Sequence, residues 1–214
     1  MDLEALSLAV EKGKVKDVKA LVNQALEEGV PVKQILDEGL IAPMGTVGEN
    51  FRQNKIFIPE MLVAARAMSA GVKIIEPLFS DSGIEPIGRV VIGTVKGDLH
   101  DIGKNLVSMM MKGAGMEVYD VGIDVPETTF VEKAEEVNAD IVCLSALLTT
   151  TMPAIGDVIK EFEKRGIRDK YHVMIGGAPV SQAFADEVGA DCYNANASDA
   201  EDHAKEYLMA KKAG

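Results

Sequence analysis

The residues best placed to do chemistry are Gly97-Asp98-Leu99-His100-Asp101-Ile102-Gly103, a histidine set between two aspartates. An apolar run, 90–95, leads into this stretch, and an amphipathic segment follows from about Lys104. Strand, loop and helix in that order describe a ligand site at a strand's carboxyl end. A histidine there can serve as a base, a proton shuttle or a metal ligand. Asp98 is placed to accept a hydrogen bond from one ring nitrogen, which fixes the tautomer and raises the basicity of the other.

The rest of the chain must position that loop. From Leu3 to about Phe79 apolar residues recur at spacings of three and four, which predicts four amphipathic helices in a small antiparallel bundle. Pro31 opens the third and Pro59 stands in the first turn of the fourth, while Pro43 and Gly45 are expected to bend or interrupt the third. The segment 80–88 breaks the periodicity and is rich in turn residues, so the boundary is expected there, with a helical domain over 1–82 and an α/β domain over 83–214. Beyond it, short apolar runs at 89–95, 117–122, 140–146, 172–176 and 190–194 alternate with helical stretches near 103–114, 127–138, 152–165, 181–188 and 198–212. Five strands alternating with five helices predict a flavodoxin-like (Rossmann-like) parallel sheet of order 2-1-3-4-5. That order sets the His100 loop beside the end of the third strand, where Ser145, Leu147, Thr149, Thr150 and Thr151 lie. The fourth strand delivers Gly176, Gly177 and Ala178 to the same edge.

Several chemistries are disfavoured. The net charge of −12 and the lack of Lys/Arg clusters argue against nucleic acid or an anionic membrane as partner. No apolar run reaches the roughly 20 residues of a membrane span, and no signal peptide is evident, so a cytoplasmic protein is expected. No Gly-x-Gly-x-x-Gly or phosphate-cradling lysine loop occurs. Ser145 lacks a nucleophile elbow, and it stands where a phosphoacceptor domain would need aspartate. A zinc site needs three or four ligands. His172 and His203 have no ligand spacing to His100 and are expected to be structural or solvated, and Cys143 and Cys192 to be buried free thiols. Met109-Met110-Met111 reads as core packing. A lone histidine still suits a metal whose other positions a macrocycle fills.

Asp98-Leu99-His100-Asp101-Ile102-Gly103 fits Asp-x-His-x-x-Gly. After 41 residues, 104–144, comes Ser145-Ala146-Leu147 for Ser-x-Leu, and after 28 more, 148–175, comes Gly176-Gly177. At these spacings the chain resembles the base-off, histidine-on cobalamin-binding proteins, above all the small corrinoid proteins of methylamine, methanol and betaine methyltransferase systems. Asn54 to Met61 resembles the family's helical cap. The resemblance implies cobalamin as cofactor and His100 as the lower cobalt ligand. Asp98 and Thr151 would form a proton relay with it, Thr151 standing where the methionine synthase pattern has serine. Ser145, Gly176 and Gly177 would hold the displaced nucleotide tail. Asp101, Ile102, Gly103, Leu147, Thr149, Ala178 and residues 193–196 would line the site, and Phe57 with Met61 or Leu62 would cover the upper face. It further implies a methyl shuttle rather than a self-sufficient enzyme. Its partners would be a substrate-specific methyltransferase, a corrinoid:pterin or corrinoid:thiol methyltransferase and a reductive activase. A cobalamin-dependent sensor is the alternative.

Overall fold

A computed structural model describes residues 3–78 and 85–213. The described chain forms two compact units, the bulk of one running to Pro86 and the other beginning at Ile87. The expected boundary between residues 82 and 83 lies outside the described residues.

The first unit is helical. Helix α1 (Glu4–Glu11) buries Leu6, Ala9 and Val10, and α2 (Val15–Glu27) buries Val18, Val22 and Ala25, the spacing of a single inward stripe. The third helical segment, α3, runs without a break over 32–52, and here the structure departs from expectation. It passes from an α turn, Val32–Gln34, through π-helical turns, Ile35–Ile41, into a second α segment, Ala42–Arg52. The wider π turns carry the chain into Pro43, so the missing N–H and the ring are absorbed without a bend that ends the helix. Helix α4 (Ile58–Ile75) starts where the Phe57 N–H donates to the Glu60 carboxylate at 3.0 Å. Met61 belongs to its inward stripe with Ala64, Ala65 and Met68 and is buried, whereas Leu62 is half-buried. Phe57 itself is 64% exposed and is no part of the bundle core.

The second unit is an all-parallel five-stranded sheet of order β2-β1-β3-β4-β5. The elements are β1 (Arg89–Val95), α5 (Ile102–Gly113), β2 (Glu117–Val125), α6 (Glu127–Glu136), β3 (Ile141–Ser145), α7 (Pro153–Lys164), β4 (His172–Gly176), α8 (Gln182–Val188), β5 (Cys192–Tyr193) and α9 (Ala197–Ala213). β1 and β3 are buried almost end to end, as strands covered on both faces must be. Phe130, Phe162 and Ile155 fill the core, and the Phe162 and Tyr171 rings sit 5.0 Å apart. Met110 and Met111 are buried as core side chains. Register sets Thr94 opposite Ser145, and Ser145 opposite Gly176, so three strand ends finish in one row. In the same register Met174 separates Cys143 from Cys192. Two strand spacings of about 4.8 Å put these thiols beyond disulfide reach, and both are buried and free. Among the described residues no helix is long and apolar enough to cross a membrane.

Candidate functional site

The loop after β1 and the loop after β3 are joined by one carboxylate. Asp98 is fully buried, with 0% exposure. Its Oδ1 accepts the His100 backbone N–H at 3.1 Å and lies 2.7 Å from His100 Nδ1. Its Oδ2 accepts the backbone N–H groups of Leu147 at 2.7 Å and Leu148 at 3.3 Å. The Thr151 hydroxyl stands 2.7 Å from the same oxygen and 2.9 Å from the Leu148 carbonyl, so its one proton is shared between them. Burial by itself pushes the Asp98 carboxyl upward. The bonds from Thr151, Leu147 and His100 together outweigh that, and hold it well below the usual carboxylate range.

The tautomer of His100 follows from this charge. An ionised carboxylate only accepts, so the proton between the two groups resides on Nδ1. A neutral ring then carries its lone pair on Nε2, the edge away from Asp98. The His100 side chain is 48% exposed, so that lone pair is available to a ligand. The backbone is pinned as well: the Thr94 hydroxyl donates to the His100 carbonyl at 2.8 Å. From the end of β2, Asp124 Oδ1 accepts the Gly97 N–H at 2.7 Å, and the Asp124 N–H donates to the Asp98 carbonyl at 3.0 Å. Thr94, Asp124 and Leu148 were not singled out from sequence. The signal for Thr94 was present, as the one hydroxyl in an otherwise apolar strand end.

The remaining residues group around this centre to different degrees. Leu99 is 67% and Ile102 73% exposed, and Leu147 and Leu148 are also exposed, so apolar side chains on the two joined loops face outward. Asp101 accepts from the Asn105 side chain at 3.1 Å at the start of α5, and Gly103 has open space where a Cβ would stand. Ser145 is half-buried, Thr149 and Ala178 are exposed, and Thr151 is buried with its methyl group facing Gly97. Gly176 and Gly177 differ. A Cβ on Gly176 would meet the Asn194 carbonyl at an ordinary 3.5 Å, whereas one on Gly177 would collide with the Ala146 carbonyl oxygen. Phe57 belongs to the helical unit.

Because the folded-state pKa of Asp98 is depressed, the stability it contributes is complete above the unfolded value near 3.9. It declines as pH falls below that value and is exhausted only at the lower folded pKa. Asp98→Asn should therefore cost about 2–4 kcal/mol at pH 7 and flatten the acid limb of stability between about pH 4 and 2. Urea midpoints of both proteins across that range check this, and parallel acid limbs would contradict it.

The donor set is informative about a metal. Among the described residues no group of three potential ligands includes His100. His100 would offer a metal a single nitrogen, the remaining ligands would come with the cofactor, and the outward apolar side chains would suit a large ring, so the residues present fit a corrinoid.

Comparison with known proteins agrees. The B12 binding domain family matches residues 88–204, and a second B12 binding domain family matches residues 2–76. Dimethylamine corrinoid protein 2 of Methanosarcina acetivorans is 48% identical over 98% of this chain and 97% of its own. The trimethylamine corrinoid protein of Methanosarcina barkeri is 43% identical over 84% of each chain. The methanol:cobalamin methyltransferase complex MtaBC from Methanosarcina barkeri contains a chain that superimposes with a TM-score of 0.89 at 29% identity, over 97% of this chain and 79% of that one. The chain belongs to the B12-binding corrinoid proteins of methylamine methyltransferase systems, and its cofactor is a corrinoid.

Proposed function

We propose that this protein is the methyl carrier of a dimethylamine-dependent methyltransferase system, and that it binds its corrinoid base-off with His100 Nε2 as the lower cobalt ligand. The observation that carries the reading is the buried Asp98, which fixes the His100 tautomer and ties it to the β3 loop. When bound, the corrinoid's cobalt takes up and releases the methyl group. The chain's residues govern the proton beneath it. Asp98 holds the Nδ1 proton, and Thr151 offers Oδ2 a second proton that can be drawn closer or released to the Leu148 carbonyl. Sliding these protons changes the basicity of Nε2, so the ligand can strengthen or weaken its hold without leaving the loop. Ser145 and Thr149 offer hydroxyls to the nucleotide tail, with Gly176 bordering its slot beside Asn194. Asp101, Ile102, Gly103, Leu147 and Ala178 form the rim. The helical unit, with Phe57 exposed on it, would serve as the cap of the family it resembles.

The Methanosarcina acetivorans relative described above bears dimethylamine in its name, which supports a dimethylamine-specific methyltransferase as the donor-side partner. A second methyltransferase passes the group to a thiol or pterin, and a reductive activase restores the carrier. The test is cofactor methylation followed by absorbance. Corrinoid-loaded, reduced protein should be methylated with dimethylamine and a dimethylamine-specific methyltransferase. Methylation by the trimethylamine or methanol enzymes alone would overturn the assignment.

A further inference from the structure

At the opposite end of the sheet from His100, the two remaining histidines meet one of the two cysteines. His172 opens β4, and Cys192 of β5 lies beside Met174 in the register. Residues 172, 174 and 192 therefore share one face of the sheet. On that face the His172 ring is 5.3 Å from His203 of α9 and is stacked 4.1 Å from Tyr207, one helical turn further on. His172 Nε2 stands 3.8 Å from Cys192 Sγ. One ligand atom from each of His172, Cys192 and His203 lies within 4.8 Å of the others.

We propose that His172, Cys192 and His203 form a second metal site, for a divalent ion that prefers thiolate and imidazole, namely zinc(II). Two imidazoles and a thiolate are the ligands such an ion selects, and hard oxygen-seeking cations do not. In a tetrahedral site with these bond lengths the ligand atoms stand about 3.3–3.6 Å apart. Cys192 Sγ and His172 Nε2, 3.8 Å apart, are near that spacing, and the widest separation, within 4.8 Å, would close by up to about 1.5 Å on binding. Its rings are already oriented. Tyr207 stacks on His172, and the Asp191 carboxylate lies 3.9 Å from Nδ1, on the side where a ligating histidine is usually supported. Asp191 is itself held by Arg168 at 2.8 Å and by the Val173 N–H at 2.6 Å. Asn194 bridges the other two residues, 3.5 Å from Cys192 Sγ through Oδ1 and 3.5 Å from His203 Nδ1 through Nδ2. Its amide can withdraw as the ion enters, or fill the fourth position through its oxygen. A surface cavity of about 370 Å³ borders the cluster at His172, and its lining includes Asp191 and Tyr207. Binding releases the Cys192 thiol proton to solvent, with no change of oxidation state. The consequence is mechanical: β5 is only two residues long, and the ion would fasten it and β4 to α9.

The test uses corrinoid-loaded protein stripped with a chelator and titrated calorimetrically with zinc. One zinc per chain is expected, with a rise in melting temperature of about 5 °C. Absorption at the zinc edge, distinct from the cofactor's cobalt, should show one sulfur near 2.3 Å and two nitrogens near 2.0–2.1 Å. Cys192→Ser and His203→Ala should each weaken binding about 100-fold and leave the corrinoid content unchanged. His203 is on a helix, where alanine is well tolerated, so that variant decides the matter if Cys192→Ser fails to fold. Absence of zinc binding in the parent protein, or binding equally tight in His203→Ala, overturns the proposal.

Discussion

Gly177→Ala is expected to destabilise the protein by about 3–5 kcal/mol and lower its melting temperature by about 10 °C. Gly177 has φ +129, a conformation that side chains resist, and its Cβ would occupy the Ala146 carbonyl oxygen. That obstacle is backbone, so relief requires moving the end of β3 or of β4. The β3 loop carries the Leu147 and Leu148 amides that hold Asp98, so strain there also reaches His100. Corrinoid affinity should fall with stability in this variant. Gly176→Ala is the control: its Cβ makes an ordinary contact, and stability should change by less than about 1 kcal/mol. Denaturant midpoints of the two apoproteins measure the difference, and equal midpoints would contradict the assignment of Gly177 to close packing between strand ends.

His100→Ala should have the reverse profile. The ring is half-exposed, and Asp98 keeps the donors of Leu147, Leu148 and Thr151 without it. The loss in stability is therefore about 1 kcal/mol. Function should suffer far more, because His100 is the one imidazole on either loop. Loss of the ligand is expected to weaken corrinoid binding and slow methyl transfer by about 100-fold or more, above the 10–100-fold typical of losing a supporting group. Parallel measurement of unfolding and of transfer rate separates the two effects. A variant with normal transfer would show that His100 is a surface residue.

Much of this was legible in the chain, for stated physical reasons. Alternating apolar runs and helical stretches implied a parallel sheet, because parallel neighbours need crossovers, and the order observed is the commonest for such a chain. The order then placed Asp98 against Thr151 across 53 residues. The continuity of α3 was not legible, since the π turns that accommodate Pro43 leave no periodic trace. The division between Gly176 and Gly177 was also hidden. Both read as room for a ligand, yet only the backbone conformation shows that Gly177 gives its space to Ala146. His172, Cys192 and His203 have no ligand spacing, and they converge only because β4, β5 and α9 are neighbours in the folded unit.

The central claim is that the cobalt's lower ligand is His100 Nε2. It is tested most directly by electron paramagnetic resonance of the Co(II) protein grown with ¹⁵N-histidine. A histidine ligand predicts that the axial nitrogen splitting changes from three lines to two on labelling, and disappears in His100→Ala. A three-line splitting that survives labelling would assign the axial nitrogen to the cofactor's own base, and would contradict the account.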